Sequence, residues 1–339
     1  MVGLAVLLSL APLLAACGGD DAAGADGGVS GALFISGSST VEPISTRVAE
    51  LLEDVAPGVE VTVDGPGTGD GFVLFCHGEI DVADASRAIS EREAATCAEN
   101  GVEFVELEIA FDGMAVLTNP ENPIDCITFQ EIWGLMSGPA EAAGVDRWNE
   151  AGSVEGVTVT HDLPDAPLDI VAPGTESGTY DSFVEIVLEE AAEQVGYEGD
   201  ELIRTDFAGQ SEDNVIIQGI GGSSSSFGWV GLAFAEANAD TVEVLEVDDG
   251  ESGCVAPSAA TVSDGSYPVS RPLYVYVNTA KAAEKPALVT YVDFYLGGGY
   301  EGSVSDAFGP GRGYITLPED RLAETIAAWE AHRPAEAAT

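Results

Sequence analysis

From Ala32 onward the chain alternates between short apolar runs and segments whose apolar residues recur at helical spacing, the pattern of strands handing over to helices. Ala32-Leu-Phe-Ile-Ser36 predicts a short strand. After Gly37-Ser38-Ser39-Thr40-Val41-Glu42-Pro43 an amphipathic helix runs to about Val55, with Pro43 in the first turn where its missing N–H costs nothing. Val59-Glu-Val-Thr-Val63 alternates as a second strand, which enters Gly65-Pro66-Gly67-Thr68-Gly69-Asp70-Gly71 before a helix over Phe72 to His77. Ile80-Asp-Val-Ala83 is a third strand ending in Asp84-Ala85-Ser86-Arg87, and Ser90-x-x-Glu93 reads as a capping box for a helix to about Asn100.

Phe104 to Leu107 and Met114 to Thr118 are two separate apolar β-type runs, between which the chain is expected to cross into a second lobe. That lobe holds a helix opened by Thr128-x-x-Glu131, a buried strand over Leu168 to Ala172, a helix from Phe183 to Val195 and another from Ser211 through Ile217. The serine run Ser223 to Ser226 reads as a surface turn before the strand Phe227 to Val230. Pro268 to Asn278 predicts a strand returning to the first lobe, which a last helix from Pro318 to about His332 closes. Two α/β lobes joined by two crossings follow, with ligands expected beyond the carboxyl ends of the strands.

Three strand-to-helix turns then share one chemistry. Gly37 to Thr40, Gly65 to Gly71 and Ser177-Gly178-Thr179 are rich in Gly, Ser and Thr. Small residues there leave helix-start amides bare, and those amides carry the positive end of the helix dipole. Any one of them alone is an ordinary N-cap or a Gly-rich turn. Three facing each other across a cleft make an anion site. Arg87 stands at the end of the third strand, where a salt bridge to one of the many carboxylates is the plainer reading.

At 339 residues the chain is long enough for two domains with real cores. Met1 to Ala16 is apolar and short for a membrane span, and Leu14-Ala15-Ala16-Cys17-Gly18 has the small-residue cleavage site of an exported protein with a cysteine directly after it. Residues 1–17 therefore read as a lipoprotein signal in which Cys17 is lipidated, although no Lys or Arg precedes Arg47. Residues 18–30, mostly Gly, Ala and Asp, read as a flexible tether. The expected location is extracytoplasmic, anchored to the membrane only through the lipid.

Cys76, Cys97, Cys126 and Cys254 remain, an even number that suggests two disulfides. Of three possible pairings, nearness in sequence favours Cys76 with Cys97, and hence Cys126 with Cys254. Metal binding is the weaker alternative, since no Cys-x-x-Cys occurs and His77, His161 and His332 are scattered. Acidic residues outnumber basic ones by 59 to 11, a formal charge of −48, which repels nucleic acid and anionic lipid. An anion site must accordingly be built locally.

Gly37-Ser-Ser-Thr-Val-Glu-Pro43, Gly67-Thr-Gly-Asp-Gly71, Asp81 to Arg87 and Gly174-Thr-Glu-Ser-Gly-Thr179, in this order, resemble the phosphate-binding proteins of bacterial ABC phosphate importers. The likeness continues through Ser211 to Gly219, Gly253 to Pro257 and Tyr267-Pro-Val-Ser-Arg-Pro-Leu273. It implies a two-lobe periplasmic-binding-protein (Venus-flytrap, type II) fold with two hinge crossings, lobe 1 being residues 31–112 plus 272–339 and lobe 2 residues 113–271. It also implies a monomer that binds inorganic phosphate and delivers it to a membrane permease, with neither enzyme activity nor cofactor. Carried over by position, it assigns oxyanion contacts to Ser39, Thr40, Val41, Thr68, Ser86, Ser177, Gly178 and Thr179.

Two departures matter. The best-known branch has an Asp where this chain has Ser86, accepting the proton of bound phosphate, and an Arg where it has Pro173. Arg87 is the natural replacement cation, and among the nearby carboxylates Glu176, Asp70 and Asp84, Glu176 is the favoured acceptor. The alternatives are the same fold binding sulfate, molybdate or arsenate, or a secreted phosphatase. The last would need a metal cluster or an activated nucleophile, and neither a Gly-x-Ser-x-Gly elbow nor a His pair at ligand spacing is present.

Overall fold

The computed structural model describes residues 28–175, 177–298 and 314–334. The expected signal peptide, Cys17, most of the tether and Glu176 lie outside the described residues. Eleven strands are described: β1 (Ser30–Gly37), β2 (Gly58–Asp64), β3 (Val82–Ala85), β4 (Phe104–Thr118), β5 (Cys126–Thr128), β6 (Asp169–Ile170), β7 (Ser226–Gly231), β8 (Glu243–Val244), β9 (Glu246–Asp248), β10 (Ser270–Asn278) and β11 (Tyr314–Thr316).

The principal sheet runs β2-β1-β3-β10-β4-β7-β6, with β8 and β11 also pairing to β4. β1 lies parallel to both β2 and β3, so their carboxyl ends sit side by side at Asp64, Gly37 and Ala85. This is the edge at which two of the three Gly- and hydroxyl-rich turns begin, the Ser177 turn following β6 at the other end of the sheet. β10 returns antiparallel between β3 and β4, as the alternation of Leu273 to Val277 predicts.

The two apolar runs expected to flank a crossing are one continuous strand, β4. Its first part pairs with β10 as far as Gly113, and from Met114 it pairs with β7. Asp112, which interrupts the apolar pattern, is buried nonetheless, because the register sets it directly opposite Arg271. The expected strand over Leu168 to Ala172 is the two-residue β6, with Asp169 exposed, and most of that run is irregular.

Helices flank the sheet where spacing and caps place them. Glu42–Glu53 buries Ile44, Val48 and Leu52, with Pro in its first turn. Ser90 and Thr128 both close capping boxes, with Glu93 and Glu131 respectively. The helix expected from Phe72 begins earlier, at Thr68. The helix expected from Phe183 begins at Gly178 and runs through a π segment (Val184–Leu188) to Val195. The serine run is not only a surface turn: Ser225 and Ser226 are buried, and Ser226 Oγ donates to the Ile220 carbonyl.

The core is continuous through the apolar faces of β1, β4, β7 and β10. Beneath the Gly178 helix, Phe183 stacks on Trp229 with ring centroids 3.9 Å apart and planes 9° from parallel. Both expected disulfides are present, Cys76–Cys97 and Cys126–Cys254. No helix among the described residues is long and apolar enough to cross a membrane.

Candidate functional site

Close backbone approach builds the first wall of the site. Gly37 has φ +147°, and a Cβ added there would lie 2.0 Å from the Asp84 carbonyl oxygen, so only glycine lets β1 leave the sheet so near β3. Ser38 N–H donates to that carbonyl at 2.8 Å, and Gly67 N–H donates to the Gly37 carbonyl at 2.8 Å, tying three turns together. Thr68 Oγ1 in turn accepts from the Ser86 amide at 3.1 Å and sits 3.0 Å from Ser86 Oγ.

The second wall is the start of the Gly178 helix. Ser177 Oγ accepts from Thr179 N–H at 3.3 Å, and the Thr179 carbonyl accepts from Trp229 Nε1 at 3.3 Å, so the stacked Trp229 fixes the height of this turn. The walls touch directly: Ser39 Oγ donates to Asp181 Oδ2 at 3.5 Å, and Thr40 Oγ1 lies 3.3 Å from Ser182 Oγ. Between them is a cavity of about 650 Å³ bordered by Ser39, Thr40, Asp112, Ser177, Gly178, Thr179, Asp181 and Ser182.

Behind Thr40 and Ser182 of this cavity's wall stands Arg271, a residue to which the sequence assigned no role. Its Nη2 donates to Ser182 Oγ at 3.0 Å and to Thr40 Oγ1 at 3.3 Å, and its Nη1 pairs with Glu185. Its Nε is buried without a hydrogen-bond acceptor, the nearest carboxylate oxygen, Asp112 Oδ2, being 3.6 Å away. Ser182 Oγ donates to that same Asp112 oxygen at 2.7 Å. Arg271 itself borders a neighbouring hollow of about 660 Å³, together with Thr68, Ser86 and Arg87.

Ser39, Thr40, Ser177, Gly178 and Thr179 are therefore brought to one cavity, and Thr68 and Ser86 to the hollow beside it, joined through Arg271. Val41 is turned away: its side chain is in the core and its amide donates to the Ser38 carbonyl at 3.1 Å. Arg87, expected as the cleft cation, borders the hollow with Thr68, Ser86 and Arg271 but is already paired. Both its Nη atoms are held by the Glu93 carboxylate at 2.9 Å, its charge lies 5.5 Å over the Phe72 ring, and the side chain is 47% exposed. The salt-bridge reading of Arg87 is the observed one.

Glu176 lies outside the described residues; of its two competitors as proton acceptor, Asp84 is wholly buried and Asp70 is exposed beside the second hollow. Sequence reasoning missed Asp112, Ser182 and Arg271. The only signal for Arg271 was its place in Tyr267-Pro-Val-Ser-Arg-Pro-Leu273, and its position opposite Asp112 follows from the β4–β10 register alone.

Burial raises the Asp112 carboxyl above the ordinary range, against the pull of Arg271 and the Ser182 hydroxyl. Asp181 is also raised, by burial and then by Glu185. Asp84 is pushed up to about 8 by burial, which the hydrogen bond from Ser45 only partly offsets. Glu93 is held at about 2, chiefly by its hydrogen bonds from Arg87. The cavity thus presents several hydroxyls, the Arg271 guanidinium reaching it through Thr40 and Ser182, and the carboxyls of Glu42, Asp112, Asp181, Glu212 and Asp213 on its border, of which Asp112 and Asp181 hold a proton more readily than usual.

The chain matches the PBP superfamily domain over residues 22–298. Protein SphX of Synechocystis sp. is 37% identical over 293 residues, covering 86% of this chain and 80% of that protein. The phosphate-binding protein PstS of Staphylococcus aureus is 28% identical over 308 residues, covering 91% of this chain and 85% of that one. A solved structure of a possible phosphate binding protein from Planctomyces limnophilus superposes with a TM-score of 0.77 at 32% identity, over 90% of this chain and 99% of the other. An ABC-type phosphate transport receptor from Vibrio cholerae shares the fold, with a TM-score of 0.62 at 19% identity over 85% of this chain and 100% of the other.

Proposed function

The chain belongs to the PBP superfamily, and among its relatives those named by activity are binding proteins rather than enzymes; from that premise we propose that it is the phosphate-binding component of an ABC importer. The observation that carries the proposal is the meeting of Ser39, Thr40, Ser177, Gly178 and Thr179 from opposite walls around one cavity, with Arg271 held against its wall by Thr40 and Ser182. The names of the S. aureus and P. limnophilus relatives support phosphate as the anion.

The energetics are sufficient. Charge-assisted hydrogen bonds contribute roughly 1.5–3 kcal/mol each, against several kcal/mol of hydration lost per buried charge. Net binding of about 8 kcal/mol gives micromolar affinity. Thr40 Oγ1 accepts from Arg271 and, because Ser182 Oγ gives its proton to Asp112, donates its own to Ser182 Oγ until an anion takes it up. Thr68 and Ser86 contribute from the adjoining hollow, and the buried Nε of Arg271 gains an acceptor when the anion enters.

Asp112 takes the part of proton acceptor for hydrogen phosphate. It borders the cavity, lies beside Arg271, and would repel sulfate, which brings no proton near neutral pH. The change of β4's partner at Gly113 and Met114 supports lobes of residues 31–112 plus 272–339 and 113–271, with the anion between them. Cys17 anchors the chain by lipid outside the cytoplasm, and the loaded monomer docks on a membrane permease.

Calorimetric titration with phosphate, arsenate and sulfate at one ionic strength tests the reading. It predicts one equivalent of phosphate bound at micromolar concentration or tighter, arsenate close behind and sulfate far weaker. Tighter binding of sulfate would replace phosphate as the cargo, and no heat with any of the three would remove the anion site.

A further inference from the structure

The Cys126–Cys254 disulfide has a histidine against it. His161 Nε2 lies 3.7 Å from Cys254 Sγ, and the two sulfurs and this nitrogen all fall within 4.8 Å of one another. The ring is fixed from behind. His161 Nδ1 is 2.8 Å from Glu131 Oε2, and the same carboxylate accepts from the backbone N–H groups of Thr128 at 2.9 Å, Thr160 at 2.7 Å and His161 at 2.8 Å. With Glu131 wholly buried and serving as acceptor throughout, Nδ1 carries the ring proton and Nε2 turns its lone pair to the sulfurs. A carboxylate behind a histidine in this way is the usual support of a metal ligand.

The backbone would hold the cysteines together without their covalent bond. β5 carries Cys126 and pairs with β9, and Val255, next to Cys254, exchanges two 3.0 Å hydrogen bonds with Val247 of β9. The Cα atoms are 6.0 Å apart, so rotation about each Cα–Cβ bond suffices to separate the sulfurs. A tetrahedral Zn²⁺ with bonds of about 2.3 Å to sulfur and about 2.05 Å to nitrogen sets those ligand atoms about 3.6 Å apart. The observed 3.7 Å already matches.

We propose that reduction of this disulfide opens a zinc site in which the Cys126 and Cys254 thiolates and His161 Nε2 take three tetrahedral positions and water the fourth. A dithiol supplies two electrons and two protons as it closes to its own disulfide, leaving two protein thiols. Zinc then displaces both thiol protons to solvent. Cys254 is exposed and the His161 side chain is 27% exposed, so reductant and metal both have access. Softness favours zinc over magnesium or calcium, which prefer the oxygen ligands abundant elsewhere on this surface. None of the three residues borders either hollow of the anion site, so the inference does not depend on that reading.

Equilibrium dialysis of the full chain against Zn²⁺, with and without a phosphine reductant, tests it, the oxidised chain measuring zinc held by surface carboxylates. Reduction should add one zinc per chain, and Co²⁺ in its place should give a thiolate-to-metal charge-transfer band. His161→Ala should weaken the added zinc at least tenfold, whereas Cys76→Ser with Cys97→Ser should leave it unchanged. Equal zinc in the oxidised and reduced chains would overturn the site, as would loss of the added zinc in the Cys76/Cys97 variant. Reduction that destroys the native circular dichroism without recovery on adding zinc would also overturn it.

Discussion

Asp112 and Arg271 are a cross-strand pair, and each changes what the other can do. A carboxyl buried as Asp112 is holds its proton more readily than in water, while the guanidinium 3.6 Å away draws it back toward ionisation. That balance suits a group that accepts a proton from one anion and repels another that has none. Asp112→Asn removes the charge and keeps the shape. We expect it to strengthen sulfate binding relative to phosphate at least tenfold, read by competition calorimetry, and an unchanged ratio would show that another group accepts the proton.

Asp84 predicts a different pH dependence. Its pKa is about 8 in the folded chain against an ordinary value of 3.8 once unfolded, so between those values the folded state holds a proton that the unfolded state has released. Stability therefore falls as pH rises through this window, by at most about 1.4 kcal/mol per unit, and levels off above pH 8. Asp84→Asn should flatten the fall in melting temperature between pH 5 and pH 8. An unaltered slope would place the titration elsewhere.

At the scale of elements, the site depends on how closely the turns after β1, β2 and β3 pack. Gly37→Ala forces a methyl group onto the Asp84 carbonyl and a side chain into a glycine conformation, so a loss of about 2 kcal/mol or more is expected in denaturant unfolding. Phosphate binding should weaken with it, since Ser38 to Thr40 would shift. Wild-type stability in this variant would mean that the turn can relax.

These turns were legible because their information is local. Gly and hydroxyl residues follow an alternating apolar run, and the capping boxes at Ser90 and Thr128 are complete within four residues. Register was not legible. Glu108, Asp112 and Gly113 break the apolar pattern of β4, so one strand read as two, although Asp112 is buried because Arg271 arrives opposite it from far along the chain. The same blindness favoured Arg87, adjacent in sequence to a predicted contact, over Arg271. It also hid His161, whose approach to Cys254 is set by the buried Glu131.

For the whole molecule, a chain of formal charge −48 that captures an anion must overcome its own field locally. On the reading proposed above Arg271 does so, touching Thr40 and Ser182 while Glu185 and Asp112 limit its net charge. Added salt screens long-range repulsion more than these short contacts, so phosphate should associate faster, not slower, as ionic strength rises from low values. At this scale too, Cys17→Ser should release the protein from membranes on cell fractionation, and continued anchoring would refute lipidation at that residue.

The central claim is that the anion is held by Arg271 and not by Arg87. Parallel calorimetric titrations of phosphate into wild type, Arg271→Gln and Arg87→Gln test it directly. Arg271→Gln should lose at least a hundredfold in affinity and Arg87→Gln less than threefold; the reverse order, or equal losses, would contradict the account.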